Sequence, residues 1–368
     1  MSEHRARSPG ARSVLECARD STALAVPQAL LPNLKNFVSR PALFESLLQF
    51  DVPLALPYNG RVSNDANGSV NASTRYCAVF GHPIVHSASP AMQNAGLASL
   101  GLNWRYLAFD VHPDHLRPAI EGARLMGFIG VNLTVPHKLL ALNMVDVLDD
   151  QARTWGAVNT IVFETPDRSG YWVALGAMKS LPEREVRSRG FNTDADAIVQ
   201  ALKEAFAWES LRGASVLLLG AGGAARAAAL RLAREGVSAL YLVNRTQARA
   251  VELAADLAKS CPGFVAVQGY PSASVDLVIN ATSLGLRSED PLPIDAQWLQ
   301  ARRPRFVYDM IYRPMETGLL RAARSAGCRA ANGAGMLLHQ GTRALELWTG
   351  RPAPVGVMRA ALEKNLYG

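Results

Sequence analysis

The segment SVLLLGAGGAARAAALRLAREG, residues 215–236, decides the fold. Its short apolar run, Val216–Leu219, passes straight into glycines and then into an alanine-rich stretch. It reads as a buried strand, a tight turn and a helix over Gly223–Glu235. Gly220, Gly222 and Ala225 stand at the spacing G-x-G-x-x-G/A. In that pattern the first glycine makes the turn, the second lets a pyrophosphate approach the backbone, and the small third residue lets helix pack on strand. The free N–H groups of the helix start, Gly220, Ala221, Gly222, Gly223 and Ala224, then cradle the phosphates of a dinucleotide. A glycine-rich helix start also serves close packing alone. The strand before, the helix after and a second strand, ALYLV at 239–243, together favour the dinucleotide reading.

That second strand ends at Asn244-Arg245-Thr246, 24 residues beyond Gly220. A site for NAD wants a carboxylate here to bind the ribose 2′-hydroxyl; this one offers Asn244, Arg245 and Thr246, with Arg249 one helical turn on. Two guanidinium groups suit a 2′-phosphate, so the expected cofactor is NADP.

Working outward, strands alternate with helices on both sides. YCAVF (76–80), WRYLAF (104–109), IGVNLT (129–134) and Ala157–Phe163 read as strands, with helices over Ala88–Leu100 and Pro113–Met126. After the dinucleotide motif come a helix over Gln247–Lys259, strands over 275–280 and 306–310, and helical segments over 316–326, 335–348 and 354–366. The pattern is α/β in two tandem units, as the length of 368 residues also suggests. Residues 1–74 differ: four arginines in a Ser/Ala/Pro background, then Ala/Leu-rich stretches broken by prolines, read as a poorly ordered leader with short helices near Pro41–Phe50.

Composition narrows the class. With 49% hydrophobic and 19% charged residues the chain has a core to bury, which excludes wholesale disorder. No apolar run approaches the roughly 20 residues of a membrane span, and the N-terminus has no apolar signal core, so a cytoplasmic location with no membrane partner is expected. Four cysteines lie far apart with no CxxC pair; they read as buried thiols, with neither a disulfide framework nor a metal site. The net charge of +7 comes without a basic block or a nucleic-acid module, so no nucleic-acid partner is expected, while basic residues gathered at a cleft would favour a small anion.

The first α/β unit carries polar residues at strand ends. Ser87 and Ser89 alternate in HSASP just before a helix opened by Pro90; Asn132, Thr134 and Lys138 lie in NLTVPHK; Asn159 lies in GAVNT; Asp194 follows GFNT. Taken singly, the serines and Thr134 are caps or turn formers, Lys138 a surface lysine, and Thr193 or Asp194 a helix N-cap.

Together the strings are more specific. HSASP, NLTVPHK, GAVNT, GFNTDADA, GAGGAARA, NRT with Arg249, INATSLG, YDMIYRPMET and GAGMLLHQG occur in that order. Over about residues 75–366 the chain resembles the shikimate dehydrogenase family. The resemblance implies a substrate-binding α/β domain at 75–192, a Rossmann NADP-binding domain at 193–335, and C-terminal helices at 336–368 returning toward the first domain. It implies the NADPH-dependent reduction of 3-dehydroshikimate to shikimate, in aromatic amino-acid biosynthesis. By motif it assigns Lys138 and Asp194 to catalysis. It assigns Ser87, Ser89, Asn132, Thr134, Asn159, Tyr312 and Gln340 to substrate, and Asn280, Thr282, Ser283, Met310 and Gly333 to the cofactor side of the cleft. The acidic residue before GAVNT falls at Asp150, placed with the cofactor set. An ammonium suits the reduction of a ketone, since it supplies the proton and neutralises the developing alkoxide.

Two departures stand out. Asn159 and Asp194 are 35 positions apart, roughly twice the family's usual gap, so 164–190 reads as an insertion in a hairpin; the leader has no counterpart in a short family member. Alternatives remain: a quinate/shikimate dehydrogenase using both cofactors, a ligand-sensing protein without turnover, or a methylene-tetrahydrofolate dehydrogenase of similar layout. The expected assembly is a monomer or homodimer.

Overall fold

The computed structural model describes residues 70–179 and 185–368; the expectations for the leader through residue 69 lie outside the described residues. The expected alternation appears as two sheets. The first has strands β1 (Arg75–Gly81), β2 (Trp104–Asp110), β3 (Gly130–Leu133), β4 (Val147–Leu148), β5 (Thr160–Pro166), β6 (Trp172–Ala174) and β7 (Arg187–Phe191). Their order is β2-β1-β3-β5-β7-β4, with β6 paired on β5. β1 runs parallel to β2 and β3, while β5 is antiparallel to β3 and β7. The 164–190 stretch therefore supplies the β5–β6 hairpin and most of β7, and Leu175 in its middle is fully buried.

The second sheet comprises β8 (Ser215–Leu219), β9 (Ala239–Val243), β10 (Ala266–Gln268), β11 (Leu277–Asn280), β12 (Phe306–Asp309) and β13 (Arg329–Ala331), in the order β10-β9-β8-β11-β12-β13. All pairs are parallel. Connections step away from β8 first in one direction and then in the other, so a crevice opens beyond the carboxyl ends of β8 and β11.

Helices join the sheets. α1 (Ser89–Ser99), α2 (Leu116–Leu125), α3 (His137–Leu140) and α4 (Asp150–Trp155) belong to the first unit; α5 (Asp194–Phe206) leads out of it. α5 places Ile198, Val199, Leu202 and Phe206 in the core of the second sheet. α6 (Gly223–Glu235), α7 (Gln247–Ser260), α8 (Ala296–Arg302) and α9 (Gly318–Ser325) follow. α10 (Ala334–Thr349) packs on α5, and α11 (Val355–Tyr367) packs on α1. Leu338, Leu345, Trp348, Met358 and Leu362 of these last helices sit in the core of the first sheet. Of the cysteines, Cys77 and Cys328 are buried as expected, Cys261 is partly exposed, and Cys17 lies outside the described residues.

Trp348 is where α10 locks onto the first sheet. Its indole N–H donates to the Ile161 carbonyl at 3.0 Å. Glycine is required beneath and beside it: a Cβ on Gly130 would lie 2.0 Å from the indole nitrogen, and one on Gly176 would lie 1.8 Å from the Trp348 carbonyl oxygen. Truncating so large a buried side chain removes its transfer energy and leaves a cavity. Trp348→Ala should destabilise the fold by about 3–5 kcal/mol in urea unfolding. Tyr171→Ala, at a position 74% exposed, should change it by less than about 0.5 kcal/mol.

Candidate active site

β1 and β3 are adjacent and parallel, so the loops after their carboxyl ends share one edge of the first sheet. The loop after β1 carries Ser87 and leads to Ser89 at the start of α1; β3 carries Asn132, followed by Thr134 and, in α3, Lys138. Across from them stands Asp194, the first residue of α5. These six line a cavity of about 360 Å³, closed on the far side by Ala224, Met310, Tyr312, Gly333 and Gln340.

The Lys138 ammonium donates to Asp194 Oδ2 at 2.7 Å. The carboxylate is the more enclosed partner, at 12% exposure against 32% for the lysine. A cation tied to a fixed carboxylate inside a small cleft is a proton donor held in one orientation.

Asp194 is held by its neighbours. Asn192 Oδ1 accepts the backbone N–H groups of Asp194 and Ala195 at 3.1 and 3.2 Å, so Asn192, not Thr193 or Asp194, supplies the capping oxygen of α5. Thr193 is engaged elsewhere. Its N–H donates to Asn159 Oδ1 at 2.8 Å, and its hydroxyl accepts from Asn159 Nδ2 at 2.9 Å and donates to the Gln340 carbonyl at 3.2 Å.

In the second sheet Gly220 has φ +112°, and a Cβ there would approach the Ala281 carbonyl to 3.0 Å. Gly222 and Gly223 face open space at the start of α6, while Ala225 is fully buried against the strand. Beside the end of β9, Asn244, Arg245 and Tyr270 line a second opening of about 310 Å³. Arg245 and Arg249 are exposed, and neither has an ion-pair partner among the described residues.

Three family profiles match in sequence order. Residues 79–161 match the shikimate dehydrogenase substrate binding domain, 201–292 the shikimate / quinate 5-dehydrogenase profile, and 333–363 the shikimate 5′-dehydrogenase C-terminal domain. The NADP(+)-dependent shikimate dehydrogenase of Desulforamulus reducens is 42% identical over 305 residues, covering 81% of this chain and 97% of the relative. The chain belongs to the shikimate dehydrogenase family. Among solved structures, a shikimate dehydrogenase in complex with NADP+ matches with a TM-score of 0.71 at 33% identity, over 82% of this chain and 98% of that one. Shikimate 5-dehydrogenase from Thermus thermophilus, in complex with NADP(H) and shikimate, matches with a TM-score of 0.65 at 36% identity, over 79% of this chain and all of that one.

Five residues read from sequence as ligand contacts have their side chains engaged within the protein or lie outside the cavity lining. Asn159 is buried behind the cavity wall, its amide consumed by Thr193. Asn280 is also fully buried: its Oδ1 accepts from the Thr282 N–H and hydroxyl, and its Nδ2 donates to Asp309 Oδ1 at 3.0 Å. Thr282 in turn accepts from the Leu284 N–H, so both residues shape the loop after β11. Asp150 is exposed on the first turn of α4, outside the lining of the cavity, because Asp149 takes the N-cap there. Asn132 does line the cavity, but its Oδ1 accepts from Tyr106 and its Nδ2 donates to Thr160.

Asp309 was not anticipated. Its Oδ1 also accepts the Ile311 N–H, and its Oδ2 accepts from the Thr317 hydroxyl at 2.7 Å. Burial pushes its pKa up, against these hydrogen bonds. An acidic residue closing the apolar strand FVYD was the signal.

His137, next to Lys138, is fully buried with neither ring nitrogen hydrogen-bonded. Burial, opposed by the facing Val111 carbonyl, holds its pKa below the ordinary value. The unfolded chain therefore takes up a proton that the folded chain refuses as pH drops below about 6.5. The contribution to stability is complete above that value and is lost as pH falls toward the folded-state pKa. Between about pH 7.5 and about pH 5 the urea midpoint should fall, and the fall should be smaller in His137→Leu. Equal falls in the two proteins would assign the acid sensitivity to other groups.

Proposed function

We propose that the chain is an NADP-dependent shikimate dehydrogenase, catalysing the reversible reduction of 3-dehydroshikimate to shikimate. The observation that carries this is the Lys138–Asp194 pair, 2.7 Å apart, in a cavity bounded by Ser87 and Ser89 on one side and by Ala224 and Gly333 of the dinucleotide unit on the other. The reading takes residues 75–192 as the substrate domain, 193–335 as the NADP-binding Rossmann domain and 336–368 as helices returning to the first. It is a cytoplasmic monomer or homodimer acting on a small molecule; the free thiols of Cys77 and Cys328 suit a reducing compartment.

The residues fit the cofactor. The open glycine turn at Gly222 and Gly223 leaves backbone N–H groups and clear space for a pyrophosphate, and the unpaired Arg245 and Arg249 suit a 2′-phosphate. Bound NADPH supplies the hydride. Lys138 delivers the proton to the developing alkoxide and Asp194 holds the ammonium in line. Ser87 and Ser89 take the substrate carboxylate, Thr134 and Gln340 face the ring hydroxyls, Tyr312 closes the cleft over the substrate, and Asn132, its amide engaged by Tyr106 and Thr160, supports the wall behind them. Asn159 acts through Thr193 on Asp194.

Steady-state assays with 3-dehydroshikimate, shikimate and quinate, each with both nicotinamide cofactors, test the reading. Lys138→Met keeps most of the apolar stem and removes the donor, so kcat should fall by about 10²–10⁴ with a much smaller change in KM for substrate. Asp194→Asn should do similar damage. Retention of wild-type kcat by Lys138→Met from pH 6 to pH 9 would falsify the acid–base role.

Cofactor choice is a separate measurement. Two charge-assisted hydrogen bonds to the 2′-phosphate should favour NADPH over NADH by about 10²-fold or more in kcat/KM. Arg245→Ala with Arg249→Ala should erode that preference through KM for NADPH and leave kcat nearly intact. Equal use of both cofactors by the wild type points instead to the quinate/shikimate branch.

A further inference from the structure

Beside the reaction cavity lies a larger one of about 820 Å³. The two share His86, Met310 and Tyr312 in their walls. We propose that this larger cavity is an encounter site for carboxylate, where the anionic substrate is collected before it passes Tyr312. The inference rests on the dehydrogenase reading above, in which the substrate carries a carboxylate.

The charges carry the argument. Arg287, Arg313 and Arg321 line the larger cavity. It also contains two carboxylates, and both are engaged: Asp290 Oδ2 accepts the backbone N–H groups of Gly285 and Arg287 at 2.9 and 3.0 Å, and Glu316 pairs with Arg324. Among the described residues none of the three lining guanidinium groups pairs with a carboxylate. Arg313 donates to the Asn365 carbonyl and Arg321 to the Glu316 carbonyl, while the Arg287 side chain has no hydrogen-bond partner.

The reaction cavity is the reverse. Among its described lining residues Lys138 is the sole permanent cation, and Asp194 answers its charge. Ser87 and Ser89 offer a carboxylate only neutral hydroxyls. Attraction over distance must then come from outside the reaction cavity, and the unpaired arginines next door provide it. Solvated cations that a substrate passes, but does not keep, raise its local concentration without a buried charge in the final complex.

One unit charge about 10 Å from another in a water-like medium changes a binding constant by roughly twofold. The test compares Arg287→Gln, chosen because its side chain makes no hydrogen bond among the described residues, with the wild type in NADPH-dependent reduction of 3-dehydroshikimate. Salt is set at about 0.01 M and about 1 M, where screening lengths are ~30 and ~3 Å. At low salt kcat/KM should fall about twofold in Arg287→Gln and about fourfold in Arg287→Glu. At high salt the difference should close. kcat and KM for NADPH should not move, and the uncharged methyl ester of the substrate should show no difference. Arg168→Gln, which removes the same charge from the β5–β6 turn outside the cavity lining, should have no effect. The proposal is overturned if Arg287→Gln matches the wild type at low salt, if Arg168→Gln loses as much, or if the loss lies in KM for NADPH, which would put Arg287 in the cofactor site. A wild-type protein that does not reduce 3-dehydroshikimate at all would remove the underlying reading, and this inference with it.

Discussion

The carboxamide of Asn159 makes a two-point contact with Thr193, accepting its N–H and donating to its hydroxyl, and that hydroxyl goes on to the Gln340 carbonyl. One buried side chain thus fixes the first residue before α5 and a turn of α10. Asp194 and Gln340 face the reaction cavity from those two helices. Asn132 continues the chain of contacts on the strand side by donating to the Thr160 hydroxyl, which reaches Asn159 Oδ1 at 3.2 Å. A buried polar network is stable only when its members are satisfied together, so it tolerates one arrangement and resists intermediate ones. The spacing of Lys138 and Asp194 depends on that arrangement.

Around this network the two sheets contribute different chemistry. The first presents two neighbouring strand ends, and with them hydroxyls, amides and an ammonium. The second presents a crevice where the chain order reverses, and with it open backbone N–H groups. α5 and α10 lie against one another between them, the first buried mainly in the core of the second sheet and the second in the core of the first. Reaction chemistry and cofactor binding therefore meet over a packed helix pair, and the ion pair at its end needs no further cation. The permanent positive charge that an anionic substrate would sense lies in the neighbouring cavity, where it remains hydrated.

The segment 215–236 was legible because every level agrees there: an apolar run, glycines at fixed spacing and an alanine-rich helix. β4, β6, β7, β10 and β13 were not, since none of these short strands carries an apolar run like SVLLL or ALYLV; their pairing partners define them. At the site, motif order named the lining residues Ser87, Ser89, Thr134, Lys138, Asp194 and Gln340. It did not say which way a polar residue points. Asn132 lies within β3, Asn159 just before β5 and Asn280 at the end of β11, and all three amides are used inside the protein, which only the packed neighbours decide. Asn192 was readable in principle, since asparagine ahead of an acidic first turn is a strong capping residue.

Asp309 shows what the second sheet needs in order to hold its side of the cleft. Its two oxygens tie together the loop after β11, through Asn280, and the start of α9, through Thr317, while the Ile311 N–H closes the turn between them. Met310 and Tyr312 flank Ile311. On the other side of Met310 the chain passes so close that a Cβ on Gly333 would lie 2.0 Å from the Met310 carbonyl oxygen, and the Gly333 N–H donates to the Ile311 carbonyl. Residues 310–312 are thus clamped from both faces by backbone contacts. Tyr312 belongs to the wall between the two cavities, so a buried acid outside the lining of either one sets the partition that separates collection of the anion from its reduction.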